Sequence, residues 1–125
     1  MTVSFDYDGV LSREELRFLV SVVRELGCEV VVTTARYESR VYDNLELYEV
    51  CRGVGITEEC IRFCDGKPKY HRMKDIALHL DDNKTEVDSI NLISEEAFAV
   101  HVSEWVVPKD LKNKIVELIK TVNHA

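Results

Sequence analysis

The chain has 125 residues, a hydrophobic share of 46% and a net charge of −7, from 23 acidic and 16 basic residues. That length fits one domain with a real core, and the acidic balance argues against broad nucleic-acid binding, which needs a basic face. No apolar run reaches membrane-spanning length and the N-terminus lacks a signal-peptide pattern, so a cytoplasmic protein is expected.

Val3-Ser4-Phe5 reads as a buried strand that ends abruptly in Asp6-Tyr7-Asp8-Gly9. Residues two apart on a strand share a face, so Asp6 and Asp8 are expected to project together. Two like charges there repel and resist desolvation, an arrangement that makes sense around a hard cation such as Mg²⁺, which takes oxygen ligands. Gly9 allows a sharp turn behind them. Ser12-Arg13-Glu14-Glu15 then has the form of a capping box, and Leu16, Leu19, Val20 and Val23 recur at helical spacing, predicting a helix over 13–26 closed by Gly27. Glu29 to Thr34 is a β-branched run suited to a strand buried on both faces. A helix is expected over 38–51 with Val41, Leu45 and Tyr48 inward, then a strand over 61–64 and a turn at Asp65-Gly66-Lys67-Pro68. A short helix from Lys69 to about Asp75, with Tyr70 and Met73 inward, leads to a strand at 77–80 ending in Asp81-Asp82-Asn83. Residues 84–91 read as a loop with a single helical turn, 97–102 as a fifth strand, and Pro108 as the first residue of a last helix striped by Leu111, Ile115, Leu118 and Val122.

Alternating strands and helices predict an α/β, Rossmann-like three-layer sandwich: a central, mainly parallel five-stranded sheet with helices on both faces. Ligands of such sheets bind beyond the carboxyl ends of the strands. Those ends carry Asp6 and Asp8, then Thr34, then Lys67 and Lys69, then Asp81 and Asp82. Four carboxylates sharing a divalent cation, with a hydroxyl and a lysine left for an anion, equip the edge for phosphoryl chemistry. A carboxylate can act as the nucleophile, and a second can give and take the proton.

The order Asp6-x-Asp8-Gly9-Val10, a strand ending in Thr34, a lysine and Asp81-Asp82 resembles the haloacid dehalogenase (HAD) superfamily of aspartate-nucleophile phosphatases, over about residues 1–102. The resemblance implies Asp6 as nucleophile and Mg²⁺ ligand, and Asp8 as general acid/base with its carbonyl on the metal. It implies Asp81 and Asp82 as the rest of the metal site, one of them direct. Thr34, before the small Ala35, would bond the phosphoryl group, Thr33 being the less favoured hydroxyl. Lys69, or alternatively Lys67, would neutralise charge, and Arg36 would touch substrate. Neither Leu11–Glu29 nor Tyr37–Glu59 has room for a cap domain, which implies a capless member. Its open site would suit a large phosphorylated substrate, a phosphoprotein or nucleic-acid end, or a small molecule capped by a neighbour in a homo-oligomer.

Rival readings use the same residues. A phosphate-accepting receiver domain would need a different motif order, and a non-catalytic Mg²⁺- or phosphate-binding module could share the fold. The four cysteines (Cys28, Cys51, Cys60, Cys64) lack the paired spacing of a zinc site and read as reduced and mostly buried. His71 and His79 lie near the site but read as structural or exposed. Trp105 reads as core or a lid on the last helix, and Tyr42, Tyr48 and Tyr70 as packing residues.

Overall fold

A computed structural model describes residues 1–123 of the chain. It is an α/β fold with an all-parallel five-stranded sheet. The strands are β1 (Thr2–Phe5), β2 (Glu29–Thr34), β3 (Ile61–Phe63), β4 (Leu78–Asp81) and β5 (Phe98–His101), in the order β3-β2-β1-β4-β5. The helices are α1 (Phe18–Glu25), α2 (Leu45–Gly53), α3 (Lys84–Ile93) and α4 (Pro108–Asn123). β1 lies centrally, with Phe5 opposite Val32 of β2 and opposite Leu80 of β4. The strand order reverses between β1 and β4, and the crevice at such a reversal is where doubly wound sheets bind ligands.

The two faces of the sheet are covered unequally. Val3, Phe5, Val32 and Leu80 pack against α1, α2 and α4 in the larger core cluster. The opposite face, carrying Val31 and Ala99, packs against Val87 and Ile90 of α3 and against Met73 and Ile76. Both covers exclude water, and burying an apolar side chain of this size contributes about 1.5–3 kcal/mol. Among the described residues no helix is long and apolar enough to cross a membrane.

The ends of several elements differ from the sequence expectation for identifiable reasons. The helix expected over 13–26 begins as a 3-10 turn at Glu14–Leu16 and becomes α-helical only at Phe18. Ser12 does not cap it. Its Oγ accepts from the Gly9 N–H at 2.9 Å, so the hydroxyl braces the turn after Asp8. The expected end at Gly27 is present: φ is +86°, and Cys28 N–H reaches back to Val23 O at 3.1 Å, closing the last turn. The helix expected from residue 38 starts at Leu45, behind a 3-10 turn at Tyr42–Asn44. Arg36 Nη1 donates to Asp43 O and Asn44 Nδ2 to Tyr37 O, and these bonds hold residues 36–44 in a loop. The helix face is therefore rotated: Leu47 and Cys51 are buried, while Val41 and Leu45 are exposed and only Tyr48 of the expected set packs, tilted against Phe63.

Residues 84–91 are not a loop but most of α3. Asn83 is its N-cap, the side-chain oxygen accepting from Thr85 N–H at 3.0 Å and Glu86 N–H at 3.2 Å. This cap, followed by Val87 and Ile90 one helical turn apart, is the signal that the charged and polar composition of the stretch obscured. Pro108 opens α4 as expected, but its buried stripe runs through Leu111, Ile115 and Ile119, with Val122 half exposed. Trp105, expected as core or lid, is 83% exposed, and Tyr42 is 88% exposed. All four cysteines are free, Cys60 alone being partly exposed.

Replacing Asn83 by Ala removes the acceptor for two otherwise unpaired N–H groups and is expected to lower unfolding free energy by about 1 kcal/mol. Urea denaturation followed by circular dichroism measures it, and Asn83→Asp is expected to retain most of the stability.

Candidate functional site

β1 and β4 are neighbours and end level with each other, Asp6 N–H bonding to Leu80 O at 2.8 Å. Their last side chains therefore meet at the carboxyl edge. Asp6 and Asp81 are both buried, and Lys69, at the start of the 3-10 turn Lys69–Arg72, inserts its ammonium between them. Lys69 Nζ lies 2.9 Å from Asp6 Oδ1 and 2.5 Å from Asp81 Oδ2. The first N–H of that turn donates to Glu86 Oε2 at 3.1 Å, which ties the lysine backbone to α3. Asp82 completes the group: one oxygen each from Asp6, Asp81 and Asp82 lie within 4.8 Å of one another.

Gly9 makes this packing feasible. Its φ is +78°, the left-handed region that a side chain disfavours, and a Cβ there would overlap the Asp82 carboxylate. The turn that carries Asp8 and the acidic end of β4 thus approach as closely as backbone allows.

The charges are unequal: three carboxylates meet one ammonium. Burial pushes the Asp6 carboxyl well above the usual range, against the opposing pull of Lys69. Burial pushes Asp81 the same way, but the hydrogen bond from His79 and the Lys69 ammonium outweigh it and hold this carboxyl far below the ordinary value. For Lys69, burial favours the neutral amine, yet Asp6 and Asp81 together raise its pKa and keep it charged. A cluster of hard oxygen donors with excess negative charge fits a divalent cation of the Mg²⁺ type. Asp6 and Asp82 have the freer oxygens. Asp81 already accepts from Lys69, from His79 Nε2 at 2.7 Å and, on its other oxygen, from Asn83 N–H at 3.0 Å.

The nine sequence-derived site residues fall into two groups around this cluster. Asp6, Lys69, Asp81 and Asp82 are gathered. Thr34 is fully buried at the end of β2, its hydroxyl accepting from Arg36 N–H at 3.2 Å, and the exposed Ala35 follows it. Asp8 departs from expectation. β1 ends at Phe5, so strand alternation does not reach residue 8, and its side chain turns outward. There Arg36 grips it in a two-pronged pair, Nε to Oδ2 at 2.9 Å and Nη2 to Oδ1 at 2.8 Å. Arg36, expected to face substrate, is thus engaged by Asp8 and lies 5.1 Å above the Tyr7 ring. Lys67 is exposed and lines an open cleft with Pro68, His71 and Arg72, outside the acidic cluster.

Thr33, the alternative hydroxyl, faces the sheet interior and meets Ser4 Oγ at 2.7 Å. Ser4 and His79 belong to the site's surroundings; sequence reasoning passed over Ser4 and placed His79 near the site without giving it a role. His79, taken as structural or exposed, is fully buried and touches Asp81. The signal was alternation: Ser4 precedes Asp6 by two and His79 precedes Asp81 by two, which places each on the face of its acid.

No protein-family model and no curated protein sequence matches this chain.

Two substitutions probe the cluster. Lys69→Met leaves buried carboxylates without a counter-charge and is expected to cost about 3–5 kcal/mol of stability at neutral pH. The Asp6 carboxyl, already pushed up by burial, would lose the pull that opposes it and rise further above its value in the unfolded chain, so the folded state binds more protons and the variant regains stability as pH falls from about 7 toward about 4; urea melts across that range measure it. Gly9→Ala is expected to displace Asp82 and, at a φ of +78° that a side chain strains, to lower unfolding free energy by about 1 kcal/mol or more, measured by urea denaturation.

Proposed function

We propose that the chain is a Mg²⁺-dependent phosphomonoester hydrolase of the HAD type, acting through an aspartyl-phosphate on Asp6. The observation that carries this reading is the convergence of Asp6, Asp81, Asp82 and the Lys69 ammonium at the crevice where the strand order reverses. One Asp6 oxygen is held by Lys69, and the other attacks phosphorus as the ester P–O bond breaks. The departing oxygen takes a proton from Asp8. In the second step Asp8 removes a proton from water, whose oxygen attacks the phosphorus of the acyl-phosphate, releasing inorganic phosphate and regenerating Asp6. Thr34 and the N–H groups after it, Ala35 and Arg36, serve the phosphoryl oxygens. Asp6 and Asp82, with the Asp8 carbonyl and Asp81 behind them, would hold the Mg²⁺. The ion supplies the positive charge that lets a phosphate dianion approach carboxylates.

Lys69 rather than Lys67 is the neutralising lysine in this proposal, because only Lys69 lies between the two acids. Asp8 must be freed from Arg36 and take up a proton from solvent before it can protonate a leaving group. An incoming phosphate offers Arg36 the better partner, since guanidinium matches its oxygens in the same two-pronged way. Exposed Asp8 and Asp82, with no insertion of sheet or domain size after β1 or β2 among the described residues, suit a capless site open to a large phosphorylated substrate, or to a small one covered in a homo-oligomer. Reduced cysteines suit a cytoplasmic setting.

The Arg36–Asp8 pair also favours a second reading, a non-catalytic Mg²⁺- and phosphate-binding module in which the pair is permanent. Turnover of p-nitrophenyl phosphate separates the two. Mg²⁺-dependent release of p-nitrophenol that Asp6→Asn abolishes is expected. Binding of phosphate and Mg²⁺ without turnover would leave the module. Asp8→Asn is expected to keep Mg²⁺ affinity and lose most of kcat, about 100-fold or more; an unchanged kcat would remove Asp8 from the mechanism.

A further inference from the structure

We infer that His79 is a positioning residue: backed by Ser4 and Thr33, it fixes the Asp81 carboxylate and, through it, the Lys69 ammonium that faces Asp6. A continuous run of hydrogen bonds crosses three strands. Thr33 Oγ1 meets Ser4 Oγ at 2.7 Å, Ser4 Oγ meets His79 Nδ1 at 2.9 Å, and His79 Nε2 meets Asp81 Oδ2 at 2.7 Å, the same oxygen that Lys69 holds. Thr33, Ser4, His79 and Asp81 are all fully buried.

The acid end sets the direction of every bond in the run. An ionised carboxylate only accepts, so His79 Nε2 carries a proton. In the neutral ring Nδ1 then holds a lone pair, so the Ser4 hydroxyl donates to it, and the Ser4 oxygen is left to accept from Thr33. Three polar side chains inside a sheet are costly compared with the valines and leucines around them, even when satisfied. Apolar packing cannot do what this run does. An imidazole bonded at both ring nitrogens cannot turn, so its Nε2–H stays aimed at Oδ2. With Asn83 N–H on Oδ1, the Asp81 carboxylate is held by protein donors on both oxygens. The flexible four-carbon stem of Lys69 then has one resting place for its charge, between Asp81 and Asp6.

The kinetic arm of the test rests on the phosphatase reading, and the spectroscopic arm does not. Nitrogen-edited NMR of the intact chain, in EDTA and without substrate, reads the His79 tautomer and the Lys69 ammonium directly. The expected wild-type result is an Nε2–H tautomer and a protected ammonium signal. In His79→Leu the ammonium signal is expected to broaden away and kcat for p-nitrophenyl phosphate to fall by about 10- to 100-fold with KM unchanged. His79→Gln, which keeps an N–H in reach of Asp81, is expected to restore the signal and most of kcat; a purely structural role would not give this rescue. Ser4→Ala is expected to shift the Nδ1 resonance and lower kcat. An Nδ1–H tautomer in the wild type overturns the inference, as does a His79→Leu variant with a sharp ammonium signal and normal kcat. Equal loss in the Leu and Gln variants, each measured where it is folded, also overturns it. If His79→Leu does not fold, Ser4→Ala decides, and an unchanged Nδ1 resonance rejects the idea. A wild type without turnover would reject the phosphatase reading and leave the NMR result to decide on His79.

Discussion

A single ammonium buried between two strand-end carboxylates sets the terms for the rest of the molecule. Asp6 and Asp81 offer oxygens within 4.8 Å of each other, and both side chains are out of solvent. Two like charges about 4 Å apart repel by about 4 kcal/mol at an effective dielectric of about 20, a large part of the total stability of a small domain. Lys69 offsets that repulsion from the one place that reaches both acids. A buried ion pair is a poor way to gain stability, since apolar residues of the same volume generally do as well or better. Its presence at the crevice of the sheet, with a third carboxylate at the rim, is therefore not explained by a gain in stability.

Most of the architecture was legible in the sequence because period and punctuation agreed. The β-branched run at Glu29–Thr34, the glycine after Leu26 and the proline at 108 each named an element and one of its ends. Legibility failed where a polar side chain had two backbone clients to choose from. Ser12 looked like a helix cap and serves the turn at Gly9 instead. Asn83 looked like loop and caps α3. The candidate site divided in the same way. Asp6, Asp81, Asp82 and the choice of Lys69 follow from strand ends meeting at one edge. The outward turn of Asp8 does not, because it depends on where β1 stops and on a guanidinium nearly thirty positions away. Ser4 and the role of His79 were hidden for another reason: inside an apolar strand, single polar residues carry no local pattern beyond their spacing from the acids.

The sheet divides its labour between faces. One side is covered by three helices and is apolar throughout its core cluster. The other has α3 and a short turn, and beneath them runs the polar row from Thr33 to Asp6. Folding strength and site organisation are thereby kept on opposite surfaces of the same strands. The thinner cover is where the charged groups sit.

The first turn of α3 has a hold on both partners of the ion pair. Asn83 grips Asp81 through its backbone while its side chain closes the helix, and Glu86 grips the backbone of Lys69. Helix start and charged couple are thus one mechanical unit, clamped to the sheet by Val87 and Ile90 farther along. Loss of that turn would remove one hold on Asp81 and one on the Lys69 backbone at a stroke, while the strands beneath stayed paired.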